Sequence, residues 1–213
     1  MKLTKHEHAC VAFEKDGASI VIDPGSFSAN AGDIISGAEA ILLTHEHFDH
    51  VNEAAINAAL AERADLRVYG PAALASVFGA HPDQFTAVAA GEELKVAGFT
   101  VTVYGSTHAV IHPDFPPVAN VGYLVDGGVY HPGDAYFVPE TSVDTLLLPT
   151  SGPWMKIGEA ADYVRQVRPD KVVQIHEMLL SEIGLNLASM LLGENGLTGK
   201  PLTVVPAGES ITL

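Results

Sequence analysis

The chain has one cysteine, Cys10, among its 213 residues. It cannot form an internal disulfide, which fits a reducing compartment and argues against a stapled secreted domain. Basic residues are scarce, 11 against 26 acidic ones, for a formal net charge of −15. No cluster of Lys and Arg offsets this locally, so a nucleic-acid backbone is an unfavourable partner. No apolar stretch approaches the ~20 residues needed to span a membrane. The opening residues, Met1 to His6, lack the apolar run of an export signal. The expectation is a soluble cytoplasmic protein without a membrane partner. No linker or low-complexity segment divides the sequence, which reads as one domain over residues 1–213. Hydrophobic residues make up 47% of it, enough for a sizeable core.

Histidine, by contrast, is concentrated in one place. Thr44-His45-Glu46-His47-Phe48-Asp49-His50 offers four potential metal-binding side chains: His45, His47, Asp49 and His50. It directly follows Ile41-Leu42-Leu43, a short apolar run typical of a buried strand. Asn52 to Ala64 then reads as a helix with Ile56, Ala59, Leu60 and Arg63 on one stripe. A strand end and a helix start hold such a loop rigidly, and neutral imidazole is the commonest protein ligand for first-row metals. In extended backbone, residues two apart such as His45 and His47 point the same way. Asp49 and His50 follow after a turn and can face a second point. The spacing therefore suggests two neighbouring metals.

The remaining chain reads as alternating strands and helices. Leu3 to Glu14 reads as one strand, with His6 and His8 on one face, an Asp16-Gly17 turn, and Ser19 to Ile22 as its partner. Asp23-Pro24-Gly25 has turn composition, and Ser26 to Gly37 is a polar connection. Leu66 to Tyr69 is a strand and Pro71 to Phe78 a short helix with Pro at its first turn. Phe99 to Tyr104 alternates as a half-buried strand does and runs into Gly105-Ser106-Thr107-His108. Gly122 to Asp126 and Val129 to His131 form a hairpin, followed by Pro132-Gly133-Asp134. Leu146 to Leu148 is a buried strand leading to the only tryptophan, Trp154. Ala160, Ala161, Val164 and Val167 mark a helix stripe, and Val172 to Ile175 a strand ending at His176. Leu179 to Gly193 is a second apolar-striped helix, and Leu202 to Val205 and Ser210 to Leu213 are short closing strands.

Among the other histidines, His81 has no partner pattern. His112 sits in a Pro-stiffened loop, where solvent exposure is the default and a substrate contact the alternative. His131 reads as a core or pocket residue, Trp154 as a packing residue or part of a pocket rim, and Cys10 as a small core residue.

The segment from His45 to His50 resembles the His-x-His-x-Asp-His signature of the metallo-β-lactamase-fold hydrolases, and the similarity extends over essentially the whole chain. That resemblance implies an α/β fold, a four-layer αββα sandwich of two similar halves with the site along one edge where they meet. It implies His108 as the third histidine of one metal, Asp134 as a bridging carboxylate and His176 as a ligand of the second metal. One metal is then expected on His45, His47 and His108, the other on Asp49, His50 and His176, and the carboxylates Asp49 and Asp134 serve catalysis. Asp23 is expected to buttress the ligand loop, since carboxylates behind a metal site orient its imidazoles. Relatives also carry a histidine near the site where His8 stands. The compact length and the run from Pro149 to His176 look most like the small group that includes ascorbate-6-phosphate lactonase.

The chemistry implied is hydrolysis of an ester, lactone, amide or phosphodiester in a small molecule by a hydroxide held between two divalent cations about 3.5–4 Å apart. The donors are all nitrogen or oxygen, so zinc is expected, with manganese and iron compatible. A nuclease would need a basic surface, and a non-hydrolytic redox or sensor module of the flavodiiron kind would carry a flavin domain. A homo-oligomer is compatible with the sequence.

Overall fold

In the computed structural model, which describes residues 1–213, fourteen strands and four α-helices follow one another along the chain. They are β1 (Lys2–Lys5), β2 (Val11–Lys15), β3 (Ala18–Ile22), α1 (Ala31–Ser36), β4 (Ala40–Leu42), α2 (Glu53–Glu62), β5 (Arg67–Gly70), β6 (Phe85–Ala87), β7 (Glu93–Val96), β8 (Phe99–Tyr104), β9 (Gly122–Val125), β10 (Val129–His131), β11 (Thr145–Pro149), α3 (Ile157–Val167), β12 (Lys171–Ile175), α4 (Glu182–Leu192), β13 (Leu202–Thr203) and β14 (Ser210–Thr212). The strands form two seven-stranded sheets, in the orders β14-β1-β2-β3-β4-β5-β6 and β13-β12-β11-β10-β9-β8-β7.

The four layers follow from two-residue alternation along the buried strands. Ile20, Ile22, Ala40 and Leu42 point inward to meet Tyr123, Val125, Leu147, Val173 and Ile175 of the other sheet. Val21 and Ile41 point the opposite way, onto Ile35 of α1 and Ile56 and Leu60 of α2. Leu146, Leu148 and Val172 likewise turn outward, onto Ala160, Ala161 and Val164 of α3 and Leu192 of α4. Strands buried on both faces read as continuous apolar runs, which is why Ile41-Leu42-Leu43 and Leu146-Leu147-Leu148 stand out in the sequence.

Four expectations need correction. Leu3 to Glu14 is not one strand: β1 and β2 pair antiparallel, Lys5 opposite Val11, around a tight turn at residues 6–10. His8 adopts a left-handed φ of 59° there, while His6 N–H bonds the Cys10 carbonyl at 2.9 Å. No Gly or Pro marks this turn, so the local pattern reads as unbroken strand. The polar connection after Asp23 contains α1, anchored by Ala31 and Ile35. Residues 85–87 and 93–96 form β6 and β7, which have little sequence pattern because they are short and largely exposed. The last helix starts at Glu182, capped by the Ser181 side chain, three residues later than the apolar run suggests.

Candidate metal centre

The predicted ligands stand at the ends of different strands along one edge of the sandwich. His45, His47, Asp49 and His50 follow β4; His108 lies beyond β8, Asp134 beyond β10, and His176 directly after β12. Their donor atoms fall into three overlapping groups, each within 4.8 Å: His45, His47 and His108; His45, His50 and Asp134; and His8, Asp49, His50 and His176.

Close chain crossings make this convergence possible. A side chain at Gly25 would collide with the backbone of Asp49 and His50. At Gly133 it would strike Asn120 and Thr44, and the φ of 64° there favours glycine anyway. The Asn120 amide spans that loop, donating to the Pro132 carbonyl at 3.0 Å and accepting from Asp134 N–H at 3.0 Å.

Hydrogen bonds behind the histidines fix which ring nitrogen faces the centre. Asp23, fully buried, accepts from Thr44 N–H at 2.8 Å, from the Thr44 hydroxyl at 2.7 Å and from His50 Nδ1 at 2.7 Å. Thr44 Oγ1 in turn lies 3.0 Å from His45 Nδ1 and accepts its proton. His108 Nδ1 donates to the Ala109 carbonyl at 2.6 Å. The Nε2 atoms of His45, His50 and His108 are thereby turned inward, where they can serve as metal donors once unprotonated.

Asp134 occupies the middle. Its Oδ1 is 3.1 Å from both His50 Nε2 and His176 Nε2. Its Oδ2 is 3.4 Å from His108 Nε2 and accepts from Trp154 Nε1–H at 2.7 Å. Asp49 Oδ2 lies 3.6 Å from His176 Nε2 and 3.1 Å from His8 Nε2.

Without a cation the charges balance among themselves. Burial pushes His45 well below the ordinary imidazole value, and neighbouring His50 adds to this. Burial also opposes charge on His50 and His176, but the Asp134 carboxylate, joined by Asp23 at His50, outweighs it and raises both. Asp134, despite its burial, is held well below the carboxylate range by His50 and His176. Asp49 is likewise lowered against its burial by hydrogen bonds from His176 and His8.

A divalent cation fits this arrangement. His50 Nε2, His108 Nε2, His176 Nε2 and Asp134 Oδ1 are sealed from solvent without a well-formed hydrogen bond, although they face one another. Buried polar atoms without partners are costly, and a cation satisfies nitrogen lone pairs and a carboxylate together.

A family model described as the beta-lactamase superfamily domain matches residues 2–176. The chain belongs to that superfamily. Protein Rv0786c of Mycobacterium tuberculosis is 39% identical over 186 residues, 85% of this chain and 86% of its own length. A UPF0173 metal-dependent hydrolase of Myxococcus xanthus is 33% identical over 181 residues, 75% of this chain and 64% of its own length. Among solved structures, the metallo hydrolase Igni18 of Ignicoccus hospitalis shares the fold, with a TM-score of 0.74 and 22% identity over 99% of this chain and 97% of its own.

Within this beta-lactamase superfamily fold the remaining sequence candidates separate. His8 is drawn into the centre, not along a strand face. Met178 N–H donates to its Nδ1 at 3.4 Å, which leaves the proton on Nε2 to be donated to Asp49. Its ring lies against that of His176, centroids 3.7 Å apart, and His176 N–H bonds its carbonyl at 2.9 Å. His131 is buried behind the site, between the Ala9 carbonyl at 2.9 Å and Gly133 N–H at 3.1 Å. His112 is exposed and paired only with Asp114; its neighbour Ile111 lines the cleft instead. Trp154 is buried against Asp134, more than a rim residue. Asn120 carried no signal beyond a lone amide before a strand, and its role depends entirely on which loops lie beside it.

Proposed function

We propose that the chain is a metal-dependent hydrolase that cleaves an ester, lactone or phosphodiester bond in a small molecule. His45, His47 and His108 would hold one divalent cation, Asp49, His50 and His176 a second, and Asp134 would contact both. The observation that supports this most is the set of partnerless, inward-facing donors around Asp134, whose two oxygens are turned toward different histidine groups. Bound there, divalent cations acidify a water molecule toward neutral pH and polarise the oxygen of the scissile group. The donors include no thiolate, which suits zinc, manganese or iron.

The chain's own residues then have defined tasks. Asp23 and Thr44 hold the tautomers of His50 and His45, His8 aims Asp49, and Trp154 fixes Asp134 by its indole N–H. No side chain competes as nucleophile. Burial pushes the Cys10 thiol up to about 12, and it lies between a sheet and the helices, away from the cleft. The Ser151 hydroxyl is committed to the His176 carbonyl. None of the residues lining the cleft is Lys or Arg, which speaks against nucleic acid as substrate.

The test is zinc titration of metal-depleted protein by calorimetry, followed by assay on p-nitrophenyl esters and bis(p-nitrophenyl) phosphate. Two zinc ions per chain and activity lost with the metal are expected. Asp134→Ala is expected to lose activity while retaining its circular-dichroism spectrum. A stoichiometry of one, unchanged in Asp49→Ala, overturns the two-cation arrangement. Full activity in Asp134→Ala overturns the role of that carboxylate.

A further inference from the structure

The walls of the cleft carry information about the substrate that the ligand cluster does not. One lobe, about 330 Å³, is lined beside the metal-binding side chains by Phe27, Phe48, Ile111, Pro153, Trp154 and Leu179. A second lobe, about 180 Å³, shares His47, His108 and Ile111 with the first. It continues over Phe115, Pro116, Pro117 and Val118. The first lobe is at the small end of the range for ligand pockets, about 300–1,000 Å³. The candidate ligands His47 and His108 therefore stand where two apolar lobes meet.

The rim is unusually apolar for an exposed surface. Phe48 is 65% exposed, Phe115 67%, Leu179 55% and Ile111 41%. Phe27 packs edge-on against Phe48, centroids 5.6 Å apart, and extends that wall inward. Large apolar groups gathered beside a polar centre mark a binding surface for apolar matter.

Neither lobe is lined by Lys or Arg. Lys156, the basic residue nearest Trp154 in sequence, pairs with Glu159 at 3.1 Å. Lys5 is buried in an ion pair with Glu177 at 2.7 Å. A phosphate or carboxylate carried away from the scissile bond would be recognised by Arg or Lys. Here it would rest on Phe, Leu, Ile and Pro in a chain of formal net charge −15.

We infer that the substrate is an uncharged ester or lactone with apolar groups on both sides of the scissile carbonyl, an inference that rests on the hydrolase reading above. Hydrolysis breaks the acyl–oxygen bond. The water oxygen joins the acyl carbon, and the water's proton ends on the leaving oxygen, giving an acid and an alcohol.

The experiment has a kinetic and a binding arm. Zinc-loaded protein is assayed on p-nitrophenyl acetate, butyrate and octanoate and on bis(p-nitrophenyl) phosphate. A rise in kcat/KM of about tenfold or more from acetate to butyrate is expected from two further buried methylenes. Leu179→Arg is expected to flatten that rise. In the second arm, Trp154, the only tryptophan and part of the cleft wall, reports binding by its fluorescence. Hexanol is expected to shift its emission at concentrations where glucose 6-phosphate does not. Activity without chain-length preference, or with the phosphodiester preferred, overturns the substrate class and leaves the hydrolase reading standing. Absence of all hydrolysis together with the hexanol response overturns the hydrolase reading and keeps the apolar cleft. A response to glucose 6-phosphate and not to hexanol overturns the apolar cleft itself.

Discussion

Replacing Asp23 by Asn separates the support of the fold from the support of the metal site. Asp23 accepts three hydrogen bonds, from Thr44 N–H, Thr44 Oγ1 and His50 Nδ1, and its backbone is left-handed with φ 51°. Asn tolerates that conformation and has the same shape. Its carbonyl must face Thr44 N–H, because the opposite flip would set two donors against each other. The amide N–H group then points at His50 Nδ1, which has to accept. That moves the His50 proton to Nε2, the atom that faces Asp134 across 3.1 Å. The Thr44 hydroxyl, which donates to the same carboxylate oxygen as His50, must also turn its proton away from the new amide, so neutral and rearranged hydrogen bonds replace charge-assisted ones, for a loss of roughly 1–3 kcal/mol of fold stability. Metal binding loses more selectively, since the His50 lone pair must be recovered against this hydrogen bond. Changes behind a ligand cost about 10–100-fold in affinity, roughly 1.4–2.8 kcal/mol. Asp23→Ala is the cruder contrast: each buried donor orphaned costs about 1–3 kcal/mol, a large share of a typical total of about 5–15 kcal/mol. The assays are thermal melts in chelator and zinc calorimetry. A D23N protein that binds zinc with wild-type affinity would refute the claim that Asp23 sets the tautomer.

The Asp134 carboxylate, joined by Asp23 at His50, favours protons on His50 and His176 in the metal-free protein, and as candidate ligands they would release them to a cation. Zinc binding is expected to release up to about two protons per chain, more near pH 6 than near pH 8, with apparent affinity rising with pH; calorimetry in buffers of different ionisation enthalpy counts them. By the same sign, the stability these two histidines give the metal-free fold is complete below their ordinary value and fades as pH rises through the raised ones. Chelator-treated melts at increasing pH test this, and a melting temperature that climbs over that window contradicts it. Cys10, with its thiol pushed up to about 12, is expected to resist iodoacetamide at pH 8 until the chain is unfolded in guanidinium; rapid labelling of the native protein would place it elsewhere than the core. Gly133→Ala is expected to weaken zinc binding by displacing Asp134, whereas Gly127→Ala, also at positive φ but in open space, is expected to show only the backbone cost of about 1–2 kcal/mol. Equal zinc affinities for the two variants would show that the close approach at Gly133 does not position Asp134.

The sequence by itself determined the cluster from His45 to His50, because a ligand run directly after a doubly buried strand is a local pattern. Its apolar runs marked Ile41-Leu42-Leu43 and Leu146-Leu147-Leu148 as buried strands, while the four-layer arrangement came from the resemblance and the structure sets which side chains face which layer. Single residues such as His108, Asp134 and His176 gained meaning only from resemblance, each being one donor at a strand end. Tertiary structure alone decided the rest. The turn at His8 carries no Gly or Pro; a left-handed histidine is held there by Asp49, a residue 41 positions away. Trp154 reaches Asp134, and Asn120 ties the Pro132 loop to Asp134, by hydrogen bonds whose partners no local periodicity connects. The apolar cleft is likewise assembled from Phe27, Phe48, Ile111 and Leu179, which lie on separate loops. Patterns of period 2 and 3.6 report which face of an element is buried, and loops have no such period. Their side chains acquire neighbours only when the sheets bring their ends together.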